Sequence, residues 1–165
     1  MLDKTLNRFG ILTVFTLIAA ASAFTHPIGT VENQYFYQPA PTPAPEKPPF
    51  TGYKGITIGT KADEVRAKLG APTDKSDEQD SFVVSGNESA QIYYDAAKTV
   101  TAITVTFTGK LDGAPTAMAV FGEAAEVKPD GGIFKMVRYP KAGFWISYNK
   151  IVGSDGMIMI ALQKL

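Results

Sequence analysis

The sequence predicts an α+β fold: two tandem helix–β–β–β repeats forming one antiparallel sheet, with the helices packed on one face. Three observations lead there. The stretch IGTKADEVRAKLGAP, residues 58–72, carries a helix start, an apolar stripe and a helix stop. Three strand-like segments follow it. A fainter version of the same order then begins at DGAPTAMAVFGEAAE, residues 112–126, and runs to the C-terminus.

The first 23 residues read as a secretory signal peptide. Lys4 and Arg8 form a basic start, Phe9 to Ile18 a short apolar run, and Ala21-Ser22-Ala23 a small-residue cleavage site. Cleavage after Ala23 is expected. The other reading is a retained anchor, but the run is shorter than the roughly 20 residues that cross a bilayer. With no cysteine at the cleavage site, no lipid anchor is expected. The expected location is periplasmic or secreted.

Residues 24–49 combine scattered aromatics (Phe24, Tyr35, Phe36, Tyr37) with the proline-rich tract QPAPTPAPEKPP. Proline holds the chain extended, so this tract reads as a semi-rigid tether or as a ligand for another domain. The folded domain is expected over residues 50–165, with a first repeat at 53–109 and a second at 110–165.

In the first repeat, Thr60 and Asp63 have the spacing of a capping box, and Ala62, Val65 and Leu69 share one face. Gly70 and Pro72 end the helix. Strands are expected at 81–85, 90–95 and 99–108. The last is the clearest, with Ile103, Val105 and Phe107 alternating with Thr104 and Thr106. In the second repeat, Asp112 is the expected cap, Pro115 sits in the first turn and Phe121-Gly122 ends the helix. Landmarks correspond: Leu69-Gly70 with Phe121-Gly122, Phe82 with Phe134, IYYD (92–95) with ISYN (146–149), and ITVTF (103–107) with MIMIAL (157–162).

Two such units can join their sheets and lay both helices on one side. The helix-bearing face is then expected to take Phe82, Val84, Ile92, Tyr94, Ile103, Val105 and Phe107, followed by Phe134, Met136, Phe144, Ile146 and Tyr148. The opposite face would hold Val83, Tyr93, Lys135, Val137, Tyr139, Trp145 and Ser147. Tyrosine and tryptophan beside a lysine make the composition of a protein-binding surface. Tyr93, Lys135, Val137, Tyr139, Trp145 and Ser147 are the candidate partner-binding residues. Either a partner or the 24–37 segment, folding back, would cover them.

The resemblance to a known family rests on the first helix. Gly59, Glu64, Val65, Leu69, Gly70 and Pro72 fit the pattern G-x-x-x-x-E-V-x-x-x-L-G-x-P, and the stretch resembles the SmpA/OmlA (BamE-like) domain. Its duplicated form resembles the beta-lactamase-inhibitor-protein (BLIP-like) fold. The resemblance implies a non-enzymatic protein of the bacterial envelope that works by binding other proteins. The first group assists outer-membrane assembly; the second inhibits secreted enzymes. This chain departs from both, since it lacks the lipid-bearing cysteine of one and the disulfides of the other.

Composition narrows the chemistry. The net charge is zero, which argues against nucleic acid and against a polybasic membrane surface. There is no cysteine and one histidine, His26, outside the expected domain. No catalytic residues, cofactor or metal are therefore expected. The run DKSDEQD (74–80) supplies Asp74, Asp77, Glu78 and Asp80, which read as a solvated turn or a calcium loop, without the EF-hand spacing. Arg138, Lys141 and Lys150 read as surface cations or a small anion site, and Asn87-Glu88-Ser89 as a turn. The expected function is non-catalytic protein binding, either as an envelope or outer-membrane assembly scaffold or as a secreted inhibitor of a hydrolase. Any outer-membrane association would run through a protein partner.

Overall fold

The computed structural model describes residues 47–165. The expected signal peptide, the aromatic segment and most of the proline tract lie outside the described residues. So does the expectation that residues 24–37 cover the sheet.

The order of elements is helix, four strands, helix, three strands. α1 spans Ala62–Leu69, β1 Asp74–Lys75, β2 Gln79–Ser85, β3 Glu88–Tyr94 and β4 Val100–Thr108. α2 spans Ala117–Phe121, β5 Ile133–Tyr139, β6 Phe144–Ile151 and β7 Met157–Lys164. All seven strands form one open antiparallel sheet in the order β1-β2-β3-β4-β7-β6-β5. Three consecutive strands on each side are joined by short connections, and β4 meets β7 in the middle.

α1 buries Ala62 and Val65, as its apolar spacing predicts. Its cap differs from expectation. Lys61 is the N-cap and makes no side-chain cap bond. Instead the Ala62 amide donates to the Lys98 carbonyl at 3.0 Å, so the turn before β4 satisfies the helix end. Thr60 accepts through its hydroxyl from the Thr57 amide. α2 is capped by Thr116, whose hydroxyl accepts from the Ala119 amide at 3.2 Å, rather than by Asp112. Gly122 ends it at φ 76°, the left-handed conformation that glycine adopts without a Cβ clash.

One face of the sheet is the core face. Phe82, Ile92, Ile103, Val105, Ile160, Leu162, Ile146 and Tyr148 are buried there together with Val65 of α1 and Val120 and Phe121 of α2. Register ties the strand residues into continuous lines: Ile92 opposes Ile103, Ile103 opposes Leu162, and Leu162 opposes Ile146. Burial of this apolar surface is the main stabilising term, at roughly 25 cal/mol per Å².

β5 corrects the expected faces. Val137 opposes the buried Ile146 and Lys135 opposes the buried Tyr148. Lys135, Val137 and Tyr139 therefore point to the helix-bearing side, while Phe134 and Met136 point to the open side. A strand alternates with period two, so a one-residue error in phase exchanges every side chain between faces.

Candidate functional site

The helix-free face of the sheet is the candidate site. Three lines of directly opposed residues cross it from β5 to β2. The first runs Phe134, Asn149, Met159, Thr106, Ser89, Val83. The second runs Met136, Ser147, Ala161, Thr104, Gln91, Ser81. The third runs Arg138, Trp145, Gln163, Ala102, Tyr93, Gln79.

These lines divide the face into two chemistries. On β5, β6 and β7 stand Phe134, Met136, Trp145, Ile151, Met157 and Met159. Phe134 is 56% exposed, Met136 52% and Ile151 46%. On β4, β3 and β2 stand threonine, serine and glutamine, with Tyr93 and Val83 as the large exceptions. The small residues Ser147, Ala161 and Thr104 floor the middle. Large apolar side chains held in water cost free energy, and a contiguous group of them marks a contact surface. Methionine adapts its shape to what it meets.

The polar half is concave. A cleft of about 660 Å³ is floored by Tyr93, Ala102, Thr104, Ala161 and Gln163, and walled by Asp77, Glu78, Asp95 and Lys98. The Tyr93 hydroxyl donates to Gln91 at 3.2 Å. Lys98 reaches Asp77 at 2.6 Å, and this hydrogen bond and charge hold the Asp77 carboxyl below the usual aspartate value. The Asp95 carboxyl is likewise held down by the hydroxyl and amide of Thr99, at 2.6 and 2.9 Å. Asp77 and Asp95 on the cleft wall are therefore ionised at neutral pH.

The sequence-derived candidates separate. Tyr93, Trp145 and Ser147 lie on the helix-free face and are half-buried. Lys135, Val137 and Tyr139 do not join them. Lys135 is bound by Glu123 at 2.8 Å and by the Ala124 carbonyl at 3.0 Å, with its ammonium 5.3 Å from the centre of the Phe121 ring. Val137 packs against the core. Tyr139 is 1% exposed. The residues missed were Phe134, Met136, Ile151, Met157 and Met159. For Met157 and Met159 the uninterrupted run MIMIAL held the signal, because an apolar strand without alternation has two apolar faces.

The acidic run does not converge. Asp80 is buried against Arg66 and Tyr94, Asp77 pairs with Lys98, and Asp74 is exposed on β1. Among the described residues, no group of three or more acidic or histidine side chains is placed to hold a metal. A second cleft, of about 310 Å³, lies on the helix-bearing side between Phe50, Tyr53, Glu88, Phe107 and Pro115. There the Tyr53 hydroxyl donates to Glu88 at 2.6 Å, which closes its polar groups on each other. Comparison of the chain with family models, with curated proteins and with solved structures returns no match.

Proposed function

We propose that the chain is a non-catalytic, exported protein-binding module of the bacterial envelope that holds a protein partner on the helix-free face of its sheet. The observation that carries this reading is the exposed stripe of Phe134, Met136 and Ile151 beside Trp145, Met157 and Met159. Partner contact would remove that surface from water, and aromatic and methionine side chains are the ones enriched at such contacts. Arg138 beside Trp145 adds a cation at the rim for an acidic group on the partner. The exported, envelope part of the reading rests on the leader-like N-terminus. The scaffold role rests on the resemblance of residues 58–72 to the BamE-like domain.

A tandem origin belongs to the same proposal. Ile92 and Ile146 occupy like places in IYYD and ISYN, as do Tyr94 and Tyr148, and all four are buried. The glycines after Leu69 and Phe121 both take positive φ. One landmark runs against it: Phe82 is buried and Phe134 exposed. A second reading, inhibition of a secreted hydrolase, is favoured by the acidic concave cleft beside Tyr93, whose shape suits a protruding loop.

The test is crosslinking capture from an envelope fraction with the wild-type chain and with a Phe134→Ser, Trp145→Ala variant. The captured partner should be lost with the variant, while its denaturation midpoint stays near wild type. Equal capture by both would refute the face assignment. Inhibition assays on a panel of secreted hydrolases separate the second reading, since a scaffold leaves them active.

A further inference from the structure

The two edges of the sheet are built differently. At one edge β2 is covered by the two-residue strand β1, which carries Asp74 and Lys75. The register of β2 with β3 also shifts between Val83 and Ser85. Short, charged and bulged strands keep an edge from pairing with another chain. The other edge carries Lys135 and Arg138 but is neither short nor bulged. β5 runs seven residues in unbroken register with β6, contains no proline, and has no strand on its outer side among the described residues. In an antiparallel strand, alternate residues turn their N–H and C=O groups away from the paired neighbour. The outer side of β5 thus offers a pairing template next to the exposed Phe134 and Met136.

We propose that this edge pairs with β5 of a second copy of the chain, antiparallel, about a twofold axis at Met136. Its sequence, IFKMVRY, is self-complementary in that register. Met136 meets its own copy. Phe134 lies opposite Arg138 of the second copy, a cation beside a ring. Lys135 lies opposite Val137, and Ile133 opposite Tyr139. All seven residues pair and no like charges oppose each other. A twofold centred one residue earlier would set Lys135 against itself, which is unfavourable. Pro140 follows Tyr139 directly and, lacking an N–H, ends the ladder there. The contact is isologous and closed, so it yields a dimer rather than a fibre. It also makes the apolar stripes of the two copies continuous. The pairing is independent of what the helix-free face binds.

The chain has no cysteine, so Met136→Cys supplies a single thiol in the full-length protein. Directly opposed residues on adjacent antiparallel strands have the Cα spacing of a disulfide. Under mild oxidation Met136→Cys should form a covalent dimer severalfold faster than Val83→Cys, although Val83, toward the other edge, is the more exposed site at 66% against 52%. Sedimentation should show a concentration-dependent dimer for the wild type and monomer for Met136→Asp, which opposes two carboxylates. Phe134→Glu should remain dimeric, because the new carboxylate faces Arg138 of the second copy. Crosslinking of Met136→Cys no faster than Val83→Cys overturns the proposal, as does a Met136→Asp variant that dimerises like wild type. A monomeric Phe134→Glu variant overturns this register.

Discussion

Arg66 of α1 grips Asp80 of β2 through two hydrogen bonds, Nε to Oδ2 at 2.9 Å and Nη2 to Oδ1 at 3.2 Å. Asp80 is fully buried and accepts a third bond from the Tyr94 hydroxyl at 2.8 Å. The Arg66 side chain remains 24% exposed, so its fork enters the core from the rim. A carboxylate taken out of water is tolerated only when paired and hydrogen-bonded. The triad therefore fixes where the first helix sits on the sheet.

Arg66→Met leaves the Asp80 carboxylate buried with one neutral donor. Unfolding by urea should show a loss of about 3 kcal/mol, the usual cost of breaking a buried pair from one side. Arg66→Met combined with Asp80→Leu leaves no stranded charge and should cost less than Arg66→Met alone. Simple additivity of the two single losses would mean that the pair is not coupled.

The Tyr139 hydroxyl is buried and has no hydrogen-bond partner among the described residues. Its ring packs on Phe144, with centroids 6.0 Å apart. Removing the hydroxyl while keeping the ring should help, so Tyr139→Phe is expected to stabilise by about 1 kcal/mol. Tyr139→Ala should destabilise by about 3–5 kcal/mol through the cavity it leaves. Denaturant midpoints check both, and a destabilised Tyr139→Phe variant would reveal a bonded hydroxyl.

Elements with one clear signal were legible in the sequence. The stripe Ala62, Val65 and Leu69 stands between helix signals, and β4 alternates Ile103, Val105 and Phe107 against threonines, so its two faces differ. β5 is ambiguous because both phases are apolar: Ile133, Val137 and Tyr139 in one, Phe134 and Met136 in the other. Only pairing with β6 decides between them, and that contact is not local. Lys135 misled for a related reason, since its long stem buries while its ammonium reaches Glu123. Asp80 looked like one member of a solvated acidic run. Its partners Arg66 and Tyr94 are each fourteen residues away, so its burial depends on tertiary packing.

Acid should unfold the protein partly through Asp95. Its carboxyl is held below the ordinary value of 3.8, first by the Thr99 hydroxyl and then by the Thr99 amide. The unfolded chain thus binds the proton first on acidification. The stabilisation is present above the ordinary value and is lost as the pH falls below it toward the folded-state value. Asp95→Asn should flatten the fall in stability across that acid window and lower stability at neutral pH. A variant with an unchanged acid slope would remove Asp95 from the account.

Alkali acts through the buried tyrosines of the core. Tyr53, Tyr94, Tyr139 and Tyr148 all have phenols raised above the ordinary value of 10.0, in each case first by burial. Glu88 adds to the shift at Tyr53, Asp80 at Tyr94 and Glu123 at Tyr139. The unfolded chain loses these protons first as the pH rises. The stabilisation is complete below 10.0 and drains away above it. The four phenols should therefore ionise together with unfolding, so that their phenolate absorbance rises in one step with the loss of the far-ultraviolet circular dichroism signal. Titration of all four while that signal stays intact would mean that water reaches the helix-bearing face of the sheet.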